Sequence, residues 1–197
     1  MLGLAQPTDE AWVSHALADV DALLIDHAHC EMKAASNAMS LAVRHADRPS
    51  LVNAMMLLAE EELRHFREVH DKLVARGKVL GPPPVDAYAA LLRKAVGRNA
   101  TLVDRLLVGA LIEARSCERF SLLAEHCPDP ELARFWKELL AAEAGHYRTF
   151  VDLAVSEGER DGLDAATVRE RLRELARREG VIVAELAKGA ERGSIHG

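Results

Sequence analysis

Two Glu-x-x-His pairs, Glu62 with His65 and Glu143 with His146, carry the clearest chemical signature in this chain. Residues three or four apart share one helix face, so each pair would present a carboxylate and an imidazole side by side. A single glutamate precedes each pair at nearly the same interval: Glu31 lies 31 residues before Glu62, and Glu113 lies 30 before Glu143. The order Glu, E-x-x-H, Glu, E-x-x-H is an internal two-fold repeat. Four carboxylates gathered in a core cost several kcal/mol each when they lack partners. Two divalent cations would balance their four charges, and two neutral imidazoles would complete the coordination. Oxygen and nitrogen donors without thiolate suit iron or manganese better than a structural zinc site.

An E-x-x-H pair arises readily by chance in an acidic chain with 9 His, so the weight rests on phase. Leu51, Met55, Leu58, Val69 and Leu73 form an apolar seam that Glu62 and His65 interrupt. Leu132, Trp136, Leu139, Phe150 and Leu153 form another, interrupted by Glu143 and His146. Leu24, His27, Ala34 and Ala38 share a face with Glu31, while Leu102, Leu106, Gly109, Cys117 and Phe120 share one with Glu113. The same seam selects Glu62 over its neighbours Glu60 and Glu61, which are read as outer-shell or solvated. His27 and Asp26 stand near Glu31 either as partners of the ligands or as core residues. Cys30, Cys117 and Tyr147 are read as packing, and His29, His45, His70 and His126 receive no role.

The elements that must position these residues are helices. Aromatics are 4% of the chain, Ala, Leu, Glu and Arg are abundant, and alternating apolar runs are rare. The spacing predicts a short helix from Thr8, with Thr8 as its cap, to Ala18, then long helices over about 19–45 and 50–76. Ser50 is the expected cap of the second long helix and Gly77 its terminator. Three successive prolines in KVLGPPPVDAY exclude a helix interior and mark a crossover over 78–87. A shorter helix around 88–96, long helices over about 99–126 and 130–157, and a C-terminal helix over about 164–188 complete the chain. Asp129-Pro130-Glu131 opens the fourth long helix, Gly158 is read as lying beyond its end, and the tail ERGSIHG is read as loose. The expected fold is all-α: a ferritin-like four-helix bundle with additional short and C-terminal helices, one domain over 1–197.

The chain has 197 residues, 49% hydrophobic and 28% charged, as an ordinary globular protein has. MLGLAQPTDEAW lacks a basic start and an apolar stretch, so no signal peptide is expected. No run approaches the roughly 20 apolar residues of a membrane span. The three cysteines are an odd number and read as reduced thiols, which together with the rest implies a cytoplasmic protein. A net charge of −6 means that an RNA partner would need a local basic face. Arg93, Lys94, Arg98 and Arg105 form one candidate stretch, and Arg169, Arg171, Arg173, Arg177 and Arg178 another. The plainer reading is that they solvate helix surfaces.

LLIDHAHCEMKAA, EELRHF, GALIEARSCERF, AEAGHY and the crossover GPPPVDAY resemble the bacterial tRNA 2-methylthio-isopentenyl-adenosine hydroxylase family. GALIEARSCERF is far more specific than the metal pattern. The link RHADRPS is shorter than in that family. The resemblance implies a nonhaem diiron enzyme that uses dioxygen to hydroxylate the isopentenyl group of a hypermodified adenosine beside the tRNA anticodon. It implies two irons, ligated by Glu31, Glu62, His65, Glu113, Glu143 and His146, and an electron-donor protein or reductase as partner. Ala34, Gly109 and Ala110 either make room for the isoprenoid tail or allow tight helix packing. Two further readings are a ferritin-like ferroxidase or peroxidase, and a metal-binding bundle without chemistry.

Overall fold

The computed structural model describes residues 2–189, so the tail ERGSIHG lies outside the described residues. Among the described residues the chain is all-α, without strands. Helix α1 spans Glu10–Ala18. Thr8 does not cap it: the Asp9 carboxylate accepts from the amide of Ala11 at 2.8 Å, while the Thr8 hydroxyl is drawn to the buried Glu118 at 2.6 Å. Two units make up the chain, His15–Val85 and the segments on either side of it.

Within His15–Val85, α2 (Val20–Arg44) and α3 (Pro49–Ala75) pack together as a hairpin. Asp19 caps α2 by accepting from Ala22 N. Ser50 does not cap α3, because Pro49 already occupies its first turn and Arg48 is the N-cap. Proline suits that place, since its φ is preset and its missing donor would have been unsatisfied. The end of α3 is as the sequence signals. Gly77 adopts φ +68°, its N–H donates to Val74 O at 2.9 Å, and Lys78 N–H reaches Leu73 O at 2.9 Å, closing the helix with a Schellman motif. Asp21, in the first turn of α2, pairs with Arg76 and Lys78 just past the end of α3.

The other unit contains α4 (Ala87–Ala95), α5 (Leu102–His126), α6 (Pro130–Arg160) and α7 (Ala165–Gly189). Thr101 and Asp104 form a reciprocal capping box at the start of α5. Asp129 caps α6 as expected, accepting from Glu131 N and Leu132 N. Gly158, however, lies inside α6. Its buried Cα faces α7 so closely that a Cβ there would lie 2.7 Å from Val168 Cγ2. The residue that ends α6 is Gly162, at φ +86°.

Helix α5 is covered around most of its circumference, and its charged residues must find partners within the protein. Arg115, 1% exposed, uses all five of its N–H donors. Nε and Nη2 donate to the two oxygens of Glu179 at 2.8 Å each. Nη1 donates to Thr8 Oγ1 at 3.1 Å and to Glu118, and Nη2 also reaches Gln6 O at 2.9 Å. Tyr88 Oη donates to Glu179 at 3.0 Å, and the Arg119 guanidinium lies 4.9 Å from the Trp12 ring centre. The N-terminal segment, α4, α5 and α7 are thereby tied to one guanidinium. Arg115→Ala would leave two buried carboxylates uncompensated and should cost about 3–5 kcal/mol, read as a lower urea midpoint. Arg115→Lys, which keeps the charge but loses the fork, should fall between the two.

Candidate metal centre

Each helical hairpin assembles its own triad. In α2–α3, Glu31, Glu62 and His65 each offer a ligand atom, and these atoms lie within 4.8 Å of one another. All three side chains are buried. His65 Nδ1 lies 3.5 Å from Glu62 Oε2 and 3.8 Å from Glu31 Oε2. In α5–α6, Glu113, Glu143 and His146 are likewise buried and bring ligand atoms within the same 4.8 Å, with His146 Nδ1 3.4 Å from Glu143 Oε2. The sequence repeat is therefore a repeat of geometry. Donor atoms on one metal at about 2.1 Å stand about 3–4 Å apart, so each triad has the spacing and the oxygen–nitrogen chemistry of a metal-binding site.

Local structure explains why these residues point inward. Leu51, Met55, Leu58, Val69 and Leu73 are all buried on the α3 seam, so Glu62 and His65 have no solvated alternative. Glu61 is half-buried and pairs with exposed Arg64 at 3.0 Å, and Glu60 is exposed. On α6 the seam runs through Phe150 to Ala154 rather than to Leu153, which is half-buried. An undistorted helix drifts against a 3.5-residue repeat, and two four-residue steps after His146 absorb the drift.

His27, whose role the sequence leaves open, lies with Nε2 2.8 Å from Glu31 Oε1. Burial by itself would raise the Glu31 pKa. The nearby charge and hydrogen bond of His27, with contributions from His65 and Glu62, outweigh it and hold the carboxyl at about 2. Glu31 thus stays ionised, as a ligand must. Cys117 behaves oppositely: burial, reinforced by the Glu143 charge, pushes its thiol up to about 12, so it remains protonated packing. Gly109 is explained by packing, since a Cβ there would lie 2.9 Å from the Phe150 ring. His70 lies against Phe66 and the His126 ring meets Leu122 O at 2.9 Å, both local contacts. Periodicity gave no sign of the Arg115 network. The available signal was a surplus of charge on α5, where Arg115, Glu118 and Arg119 lie among residues too apolar for a solvated face.

A family model described as tRNA-(MS[2]IO[6]A)-hydroxylase (MiaE) matches residues 2–192. A Pseudomonas putida protein named tRNA 2-(methylsulfanyl)-N(6)-isopentenyladenosine(37) hydroxylase is 46% identical over 172 residues, covering 86% of this chain and 82% of that protein. A Salmonella typhimurium protein of the same name is 32% identical over 199 residues, covering 75% of this chain and 73% of that protein. Among solved structures, "Protein 43 with aldehyde deformylating oxygenase activity from Synechococcus" superposes with a TM-score of 0.82 at 43% identity, over 89% of this chain and 86% of that one. The fold is ferritin-like and all-α.

Two outcomes follow from the geometry. His27→Ala should weaken divalent metal binding about 10–100-fold, measured with ferrous ion in competition with a chromophoric chelator, with helix content unchanged. Unaltered affinity would make His27 a core residue only. Gly109→Val should overpack the α5–α6 contact and cost about 1–3 kcal/mol, seen in urea unfolding. A variant of normal stability that loses turnover would instead restore a pocket role for Gly109.

Proposed function

Since this chain belongs to the tRNA-(MS[2]IO[6]A)-hydroxylase (MiaE) family, we propose that it hydroxylates the isopentenyl group of 2-methylthio-isopentenyl-adenosine beside the anticodon of tRNA, in the cytoplasm, with dioxygen as oxidant. Glu31, Glu62 and His65 of one hairpin, and Glu113, Glu143 and His146 of the other, would hold its two irons. The observation that carries this reading is the pair of buried Glu, Glu, His triads with matching internal geometry. Their four carboxylates offset the charge of two divalent cations, and two neutral imidazoles complete the donor set.

When bound, the irons would supply the reduction of dioxygen and the insertion of one oxygen atom into an allylic C–H bond. The residues do the rest. His27 orients Glu31 and keeps it ionised. The apolar seams on either side of each triad exclude water, which strengthens the electrostatics inside. Cys117, held protonated, neither competes for metal nor offers a thiolate to oxidation. Two further electrons per turnover come from a donor protein or reductase.

The likeness to a Synechococcus protein described with aldehyde deformylating oxygenase activity favours one second reading, the same centre acting on an aldehyde. Two relatives named as tRNA hydroxylases weigh against it.

The test incubates tRNA bearing the 2-methylthio-isopentenyl nucleoside with purified protein, ferrous iron, a reductant and dioxygen, followed by nucleoside mass spectrometry. The expected product is the nucleoside with one added oxygen. It should be absent without dioxygen and absent with Glu31→Ala. No product from an iron-loaded, dioxygen-reactive protein would overturn the substrate, and formate released from an aldehyde would establish the second reading. Separately, Glu113→Ala and His146→Ala should each lose bound iron and activity while the circular dichroism of the helices persists. A fully active, iron-loaded His146→Ala would remove His146 from the ligand set.

A further inference from the structure

The two basic stretches lie far apart in the sequence but meet in the fold. Arg178 Nη1 donates to Ala95 O at 2.8 Å, which sets α7 against the end of α4 that carries Arg93 and Lys94. Arg171 Nε donates to Asp104 Oδ1 at 2.8 Å, which sets an earlier turn of α7 against the first turn of α5, beside Arg105. Arg98 sits in the short link between those helix ends. The end of α4, the start of α5 and the flank of α7 that carries Arg171 and Arg178 therefore lie together.

The two stretches that meet there are charged out of keeping with the rest of the molecule. Residues 86–105 hold four Lys/Arg against two Asp, and residues 165–178 hold five Arg against two Glu, a balance of +5 in a chain of net −6. The remainder therefore carries −11. Arg93, Lys94, Arg98 and Arg105 are exposed and pair with no carboxylate among the described residues. Arg178 is also exposed, and its one ion pair among the described residues is with Glu174 on its own helix. Such surface pairs are worth at most about 1 kcal/mol and yield readily to a phosphate.

We propose that this face, formed by α4, α5 and α7, is where the protein grips the phosphate backbone of its RNA substrate. The inference rests on the tRNA reading and adds the residues that touch the RNA. The composition favours RNA over protein. Arginine forks match phosphate oxygens, and Leu91 is the one large hydrophobic side chain exposed within these stretches, whereas a protein interface has an apolar centre. The placement also suits the chemistry. Arg105 precedes Glu113 on the same helix by eight residues, about 12 Å along its axis, so a backbone held here lies within a nucleotide or two of the triad on α5–α6.

The test titrates fluorescently labelled tRNA with wild-type protein, with R98E/R105E, and with R134E/K137E, a control making the same charge change on α6, over a series of salt concentrations. R98E/R105E should bind at least about tenfold more weakly, and its log–log salt slope should shrink by roughly 0.7–0.9 for each phosphate that is no longer neutralised. The control should stay within about twofold of wild type. Equal weakening in both variants, or in neither, overturns the proposal. If R98E/R105E keeps its tRNA affinity but loses turnover driven by a donor protein, the face belongs to an acidic protein partner instead. Wild-type protein that reacts with dioxygen yet binds no tRNA would sink the tRNA reading itself, an outcome distinct from failure of the face.

Discussion

A carboxylate taken out of water costs several kcal/mol unless a cation meets it, and three clusters stand out among the carboxylates this chain buries. One is answered by the protein itself: Arg115 directs every donor it has to Glu118, Glu179, Thr8 and the Gln6 carbonyl. The other two are the triads, where two carboxylates and an imidazole crowd within 4.8 Å on each hairpin. The protein supplies the ligands there, and under the proposed reading metal ions supply the positive charge. Structural and chemical use of buried charge are thus kept apart, although Glu113 and Arg115 are only two residues apart on α5.

That closeness has a consequence for rigidity. A ligand on a helix is only as well placed as the helix. Helix α5 is held at its start by the Thr101–Asp104 box and by Arg171, and at its middle by Arg115. Bulky Phe150 packs directly on Gly109, one turn before Glu113. Each restraint comes from a different partner, so the side chain of Glu113 inherits a position that a solvated helix would not provide. The basic face makes use of the same scaffold, because the hydrogen bonds that dock α7 also bring Arg171 and Arg178 beside the basic residues of α4 and α5.

Helix ends were mostly legible because they depend on residues close in sequence. Asp19, Asp129 and Gly77 do what their types favour. Ser50 yields its place to the adjacent Pro49, but the other two exceptions share a cause. Thr8 is a good cap residue, yet a buried acid 110 positions away claims its hydroxyl while Asp9 serves the helix. Gly158 looks like a terminator but is small because Val168 needs the space, leaving the turn to Gly162. In each case a distant neighbour competes with a local preference, and the packed interaction wins because it is buried.

Residue spacing alone was enough to set the helical class, the seams, and the inward facing of Glu31, Glu62, His65, Glu113, Glu143 and His146, though not the burial of His29, Glu118, Glu157 or Glu179. Helical periodicity is a local rule: once Leu58 and Val69 are committed to a core, Glu62 and His65 must follow. Which distant residues meet is a different matter, and it had to wait for the folded chain. No periodicity couples Arg115 to Glu179, His27 to one particular oxygen of Glu31, or Arg178 to the end of α4. Those pairings arise when whole helices dock, and docking is set by the shape and volume of entire faces rather than by the spacing of any one motif.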